Sequence, residues 1–275
     1  MTESRVRILC NAGAMIGESP ALLGDSVRWT DPVSRHLLRF DSSGNFEEVT
    51  TPASIWSLAP LPDGTLAGAL DDRFCTLTQA GEIAAGPAAT IDAGCRFNDM
   101  TTDASGGLWV GMMHRGILAT RGAIFYSRSV SEPPARVAAG LGVPNGMKVS
   151  ADGKTLFVVD TLERTLLAYP VDRGTLGEPV IVSDFLGLPG KPDGMTLGPD
   201  GTFWVAMWGG SSVVQLARDG AYLRRIDVPA PHVSSLCFAG QSRLLVTSSR
   251  MRLSPQALLE HPGSGGLFEI LLEHS

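Results

Sequence analysis

The chain has 275 residues and a net charge of −6, a balance that disfavours nucleic acid and anionic membrane surfaces as partners. Its 44% of apolar residues excludes disorder, and 32 glycines with 18 prolines indicate many turns. This length suffices for one large all-β domain or two small ones, with a sizeable core.

The N-terminal segment, MTESRVRILCNAG, mixes charged residues with a short apolar run and lacks the long apolar core of a signal peptide. No stretch reaches the length of a membrane-spanning helix. Cys10, Cys75, Cys95 and Cys237 lie far apart without a CxxC pair, so we expect reduced core thiols rather than zinc ligands or disulfides. These features predict a cytoplasmic protein without nucleic-acid or membrane partners, either a monomer or a small homo-oligomer.

Six strand–turn–strand units then follow along the chain, spaced by roughly forty residues as propeller blades are. In the four closest copies an apolar residue follows the lead residue by two positions, and a turn glycine follows it by eight. Looser copies begin at Glu18 and Ser234. The close copies are WSLAPLPDGTLAGAL from Trp56, NDMTTDASGGLWVGM from Asn98, NGMKVSADGKTLFVV from Asn145 and DGMTLGPDGTFWVAM from Asp193.

The last segments complete this pattern. The stretch SPQALLE, residues 254–260, predicts a short helix with Ser254 as its cap. The stretch GGLFEILL, residues 265–272, predicts a final strand, and we expect it to pair with residues 5–10 and close the ring. The sequence thus predicts an all-β, six-bladed β-propeller, a single domain over residues 1–275, with a β-sandwich as the rival architecture.

The lead residue of each unit starts the strand nearest the central axis, so one side chain per blade is expected to point into the mouth of the channel. Unpaired carboxylates gathered there are costly, and a bound divalent cation removes that cost. The expected ligands are the carboxylates of Glu18 and Asp193 and the amide oxygens of Asn145 and Asn98. Oxygen ligands favour Ca²⁺, with Mg²⁺, Mn²⁺ and Zn²⁺ as alternatives. The full ring of lead residues reads Glu18, Trp56, Asn98, Asn145, Asp193 and Ser234.

The dipeptides Asn145-Gly146 and Asp193-Gly194 have an alternative interpretation, because Asn-Gly and Asp-Gly are common in turns. Three observations favour the metal centre. In the four close copies the turn glycine lies eight residues after the lead residue. The polar residues occupy the same position in the repeat. Glu18 occupies this position without a following glycine.

Short motifs also occur in order along nearly the whole chain. They are GESP at 17–20, RFND at 96–99, PNGM at 144–147, PDGM at 192–195, CFAG at 237–240 with LVTSSR at 245–250, and GGLF at 265–268. As an ordered set they resemble the family of senescence marker protein, gluconolactonase and luciferin-regenerating enzyme, although no single tetrapeptide is specific.

The resemblance implies a six-bladed propeller with one central divalent metal. It also implies an enzyme of carbohydrate metabolism that hydrolyses a sugar-type lactone or related ester to the open acid. Carried over by position, Glu18, Asn145 and Asp193 would bind the metal, and Asn98 would lie at the metal or contact substrate. Arg96 would bind substrate hydroxyls or the carbonyl. Asp193 would also be the general base, and the partner would be a small-molecule lactone.

One departure concerns the substrate. Where the best-known sugar lactonases place an acidic pair, this chain has His114-Arg115-Gly116-Ile117. Arg115 would favour an acidic, phosphate-bearing or sulfonate-bearing lactone, or it is simply exposed to solvent. Trp56 is a candidate for stacking on a sugar face, with space filling as the alternative. His232 is a candidate for lining the mouth, with a structural or rim role as the alternative.

Two rival functions share these residues. An organophosphatase would use the same oxygen-ligated metal on a P–O or P–F bond, and a propeller can also act as a non-catalytic binding scaffold. A serine nucleophile is disfavoured, because no GxSxG motif occurs. A scaffold has no use for Glu18, Asn98, Asn145 and Asp193 in one phase, so the sequence favours the metal-dependent lactonase.

Overall fold

The computed structural model describes residues 5–78 and 80–272, and these residues are built almost entirely of antiparallel β-strands. The prediction of an all-β fold is confirmed. The predicted domain limits, residues 1 and 275, lie outside the described residues. In chain order the first strands are β1 (Arg5–Cys10), β2 (Glu18–Leu23), β3 (Ser26–Asp31), β4 (His36–Asp41), β5 (Phe46–Thr50), β6 (Ser57–Pro60), β7 (Leu66–Ala69), β8 (Phe74–Leu77), β9 (Ile83–Ala85), β10 (Cys95–Thr102), β11 (Leu108–His114), β12 (Gly122–Ser127) and β13 (Ala135–Leu141).

The second half of the chain repeats this organisation and adds one short helix near its end. Its elements are β14 (Pro144–Val149), β15 (Thr155–Asp160), β16 (Thr165–Asp172), β17 (Thr175–Leu176), β18 (Val180–Asp184), β19 (Lys191–Leu197), β20 (Phe203–Trp208), β21 (Ser212–Leu216), β22 (Tyr222–Asp227), β23 (His232–Phe238), β24 (Arg243–Ser249), α1 (Pro255–Glu260) and β25 (Leu267–Leu271).

Consecutive strands pair into blade-like sheets. The described residues form a sheet from β2 to β5, another from β6 to β9, another from β10 to β13, and a five-stranded sheet from β14 to β18. The remaining strands form one eight-stranded sheet, in which β19 to β22 are joined to β23, β24, β25 and β1. The backbone pair of Trp208 with His232 links these two halves.

Strand β1 pairs with β25, which confirms the predicted contact between the two ends of the chain. The N-terminal strand thereby becomes the outer strand of a sheet whose other members come from the C-terminal segment. The helix α1 also matches its prediction, because the Ser254 side chain accepts a hydrogen bond from the Ala257 amide as an N-cap.

The innermost strand of each unit contacts the next around a closed ring. Strand β2 contacts β6, followed by β10, β14, β19 and β23, and β23 contacts β2. A cavity of about 220 Å³ lies on this axis and is lined by residues of all these strands. The molecule is therefore propeller-like, with its inner strands around a central channel.

Apolar clusters between the sheets stabilise this arrangement, with Trp29, Trp109 and Trp204 almost completely buried within them. Tight turns join the strands, and the predicted turn glycines adopt the left-handed backbone conformation, for example Gly106 with φ of 88° and Gly201 with φ of 77°. No helix in residues 5–78 and 80–272 has the length and apolar character needed to cross a membrane.

Candidate metal centre

Five of the six lead residues, all but Trp56, lie where the inner strands depart from regular pairing. A β-bulge of this kind bends its strand and re-aims side chains, which is why bulges are common next to active sites. The register shifts of five described inner strands fall between Glu18 and Ala21, Phe97 and Met100, Asn145 and Lys148, Pro192 and Met195, and Val233 and Ser235.

The dipeptides Asn145-Gly146 and Asp193-Gly194 lie inside strands β14 and β19, so their interpretation as turns is wrong. Their glycines are required by the close approach of neighbouring strands. A Cβ on Gly146 would lie 2.6 Å from the carbonyl oxygen of Asp193, and a Cβ on Gly194 would lie 2.7 Å from that of Ser234. Glycine therefore lets neighbouring inner strands approach closely beside the lead residues.

Asp193 and Asn145 meet across neighbouring inner strands. Both residues are buried, and the Asn145 amide Nδ2 donates a short hydrogen bond to the Asp193 carboxylate. The Asn145 Oδ1 atom accepts from the Gly146 amide at 3.3 Å. Rotation of the amide group exchanges its oxygen and nitrogen, so this side chain can offer either atom to the centre.

Glu18 joins them from strand β2. Burial raises the pKa of Glu18 well above its ordinary value, and the nearby charges of Asp193 and Asp99 raise it further, against a smaller opposing effect of Arg96. Burial and the charge of Asp99 likewise raise the pKa of Asp193 well above its ordinary value. The centre therefore holds carboxylates whose ionised forms lack sufficient positive charge around them.

Asp99 was not foreseen as a site residue, and it connects several inner strands beneath the centre. Its Oδ1 accepts hydrogen bonds from the Ser57 hydroxyl at 2.8 Å and the Ser19 hydroxyl at 3.3 Å. Its Oδ2 accepts from the Met147 amide at 3.3 Å. Asp99 thereby joins β2, β6, β10 and β14 directly below the lead residues.

Asn98 is held at both ends of its amide. Its Oδ1 accepts from Arg96 Nη1 at 2.8 Å, and its Nδ2 donates to the Pro144 carbonyl oxygen at 3.0 Å. The oxygen keeps one free lone pair for a further contact. This arrangement fixes the Arg96 guanidinium beside the carboxylates, where burial lowers its pKa to about 10.

These residues fit a hard divalent cation. The described residues contain no group of three or more His, Cys, Asp or Glu side chains placed to hold a metal ion. The predicted set differs from such a group, because it combines two carboxylates with amide oxygens. Its buried, mutually repelling carboxylates are the feature that a bound cation would compensate.

The first wall of the mouth contains Trp56. The Arg96 guanidinium carbon lies 3.5 Å from the centroid of the Trp56 ring, so one ring face is covered. Trp56 Nε1 donates to Asp71 Oδ1 at 2.7 Å, and Arg115 Nη2 pairs with Asp71 Oδ2 at 2.8 Å. Arg115 is half-exposed, and the carboxylate of Asp71 balances its charge.

A second aromatic pair, His232 and Trp208, lies where β20 and β23 pair. Their rings stack with centroids 4.5 Å apart and an angle of 8° between the planes. Burial lowers the pKa of His232, which favours the neutral imidazole. Among the described residues its Nδ1 atom has no hydrogen-bond partner. Ser234, the sixth lead residue, is instead buried and donates to the Gly17 carbonyl oxygen.

Fold and site together define a propeller-like protein with an oxygen-rich centre on its axis. Residues 16–250 match the family model described as SMP-30/Gluconolactonase/LRE-like region, so the chain belongs to this family, as the motifs predicted. Pentonolactonase XacC of Haloferax volcanii is 29% identical over 249 residues, which cover 87% of this chain and 82% of that relative.

Solved structures of related proteins have the same overall fold. A calcium-binding protein, regucalcin, from Agrobacterium tumefaciens has a TM-score of 0.89 and 27% identity, covering 100% of this chain and 98% of its own. The gluconolactonase XC5397 of Xanthomonas campestris has a TM-score of 0.80 and 22% identity, covering 98% of this chain and 90% of its own, and supports the fold alone.

Proposed function

We propose that the chain is a metal-dependent lactonase that opens a sugar lactone to the aldonic acid. The observation that carries the proposal is the convergence of Glu18, Asp193 and Asn145 at bulges on the channel axis, with two carboxylates whose pKa values burial raises. The relationship to pentonolactonase XacC supports the reaction class, and the likeness to a calcium-binding regucalcin supports a divalent ion, with Ca²⁺ first among the alternatives.

Glu18, Asp193 and Asn145 would hold the ion, with Asn98 at its edge. A bound divalent cation supplies electrostatic stabilisation of the oxyanion that develops on the lactone carbonyl and lowers the pKa of water. Asp193 accepts the proton of the attacking water, although a carboxylate that also binds a cation is a weaker base. Its roles as ligand and as base therefore compete.

The surrounding residues position the substrate. Arg96, fixed by Asn98 and stacked on Trp56, donates to substrate hydroxyls or to the carbonyl. The part of the Trp56 ring that the two arginines leave uncovered stacks on a sugar ring. The Trp208–His232 stack lines the other side of the mouth, and Arg115 contacts only the outer part of a substrate.

We also propose six blades in one domain spanning residues 1–275. The eight-stranded sheet counts as two blades, because a single residue pair joins its halves and the inner strands close a ring. The four free cysteines support a reducing, cytoplasmic location. A monomer or small homo-oligomer acting on a small molecule completes the proposal.

The test follows acid release from gluconolactone, pentonolactones and an organophosphate ester, after chelation and after addition of Ca²⁺, Mg²⁺, Mn²⁺ or Zn²⁺ singly. We expect chelation to abolish lactone opening and one ion to restore it. Asp193→Asn is expected to lower the rate by about 100-fold or more and to weaken metal binding in calorimetry, with the fold retained.

Asp219→Asn is the matched control, because Asp219 is exposed and caps only its own turn through the Ala221 amide. Full activity after complete metal removal would contradict the proposal. Hydrolysis of the organophosphate but not of lactones would show that the same centre serves an organophosphatase.

A further inference from the structure

An acidic side chain outside the centre holds the first wall of the mouth together. Asp71 lies in the turn between β7 and β8, and its carboxylate accepts from Trp56 Nε1 and pairs with Arg115. Its backbone carbonyl oxygen accepts the Phe97 amide at 2.8 Å, which ties this turn to strand β10 next to Arg96. Asp71 is thus fixed at a junction of two blades.

Two arginines and one aspartate give this wall one net positive charge. Arg96 and Arg115 both lie near the Trp56 ring, with guanidinium carbons 3.5 Å and 5.8 Å from its centroid. Without Asp71 the rim would present two positive charges to an incoming ligand. With Asp71 the charge of Arg115 is cancelled, and Arg96 alone remains.

This balance matters for a lactone-opening reaction, because an uncharged lactone becomes a carboxylate anion when it opens. A second positive charge at the mouth would attract anionic substrates and would also retain the anionic product. A rim with a single positive charge attracts and retains anions less strongly, so it admits uncharged lactones and releases the opened acid.

We propose that Asp71 is a specificity-determining residue, which cancels the charge of Arg115 so that the mouth selects uncharged lactones over lactones that carry a carboxylate. This inference rests on the proposed lactonase function. From Arg115 alone the sequence predicts a preference for anionic lactones, whereas the Asp71–Arg115 pair predicts a preference for uncharged lactones.

The experiment compares the wild-type chain, Asp71→Asn, Arg115→Gln and the double variant. Asparagine retains an acceptor for Trp56 Nε1, and it removes both the charge and the oxygen that pairs with Arg115. For each protein kcat/KM is measured on gluconolactone and on the lactone of glucaric acid, which carries a free carboxylate. Because the Debye length falls from about 20 Å to about 4 Å between roughly 20 mM and 500 mM salt, both salt concentrations are used.

We expect Asp71→Asn to raise the ratio of kcat/KM on the anionic lactone to that on the neutral lactone by about fivefold at low salt. The gain should shrink at high salt and disappear in the double variant. A purely structural role would lower both values together without a salt effect. Asp72→Asn is the control, since Asp72 pairs only with Arg73 in the same turn.

A calorimetric titration with gluconate, the opened product, gives a readout that needs no turnover. Asp71→Asn should bind gluconate several-fold more tightly than the wild type at low salt. An unchanged substrate ratio together with unchanged gluconate affinity would overturn the inference. Failure of the wild type to open any lactone would instead overturn the proposed function, and the gluconate titration would still decide the role of Asp71.

Discussion

At the scale of single residues, the glycines beside the lead residues determine how closely the inner strands approach. Gly194 adopts an ordinary backbone conformation, so the space around its Cα is what excludes a larger residue. A Cβ there would lie 2.5 Å from Ser235 Oγ and 2.7 Å from the Ser234 carbonyl oxygen. Strands β19 and β23 would have to move apart, and a shift of β19 would displace Asp193.

We therefore expect Gly194→Ala to lower the free energy of unfolding by about 2–3 kcal/mol and to weaken metal binding. Gly187→Ala is the matched control, because nothing lies within 4 Å of its added Cβ. Urea unfolding of both variants measures the difference. Equal stability of the two variants would mean that the close approach of β19 and β23 is not what requires glycine at position 194.

At the scale of strands, the closing sheet contains a buried carboxylate. Glu269 in β25 is 1% exposed, and its oxygens accept hydrogen bonds from Arg7 of β1 and Arg243 of β24. Burial raises the pKa of Glu269, but the two arginine hydrogen bonds outweigh burial and hold the pKa below its ordinary value of 4.5. The folded state therefore stabilises the ionised form.

A depressed pKa makes this contribution to stability depend on pH. It is fully present above pH 4.5 and is lost as the pH falls through the lower folded-state pKa. We expect Glu269→Gln to cost about 2 kcal/mol at pH 7 and progressively less below pH 4.5. Urea unfolding across this pH range measures the effect, with Glu47→Gln, an exposed partner of Arg39, as control. A cost that stays constant down to pH 3 would refute this linkage.

Strands and turns were largely predictable because their signals are local. The helix cap at Ser254, the turn at Gly201 and the final strand each depend on residues a few positions apart. The pairing of β1 with β25 was inferred from the need to cover edges. By contrast, the turn remained an alternative interpretation of Asn145-Gly146, because the close approach of a neighbouring strand, which requires this glycine, leaves no local signal.

The missed residues share one property: their partners are distant in the chain. Asp71 contacts Trp56 and Arg115 from two other loops, and Trp208 stacks on His232 across the junction of two blade-like units. Asp99 lies in the RFND motif beside Asn98, yet its hydrogen bonds reach three other strands. No spacing in the sequence reports such contacts.

At the scale of the whole molecule, the ring of inner strands brings together side chains that destabilise the fold unless a cation is bound. The ionised forms of Glu18 and Asp193 are disfavoured in this desolvated channel, because burial and neighbouring negative charge raise the pKa of both groups. Stability and metal affinity should therefore oppose each other at this centre. The opposition can be measured on folding alone, without turnover.

Glu18→Gln removes one of these charges and keeps the size of the side chain. In chelator we expect its melting temperature to exceed that of the wild type by about 3 °C, since relief of about 1 kcal/mol shifts a chain of this size by that amount. With calcium the order should reverse. Wild-type protein gains about 2.7 kcal/mol at a hundredfold excess over Kd, whereas the variant lacks one ligand charge and gains much less. Glu178→Gln, at an exposed position, should follow the wild type in both conditions. If Glu18→Gln melts below the wild type in chelator, or if calcium stabilises both proteins equally, the carboxylates of the centre do not form a cation site.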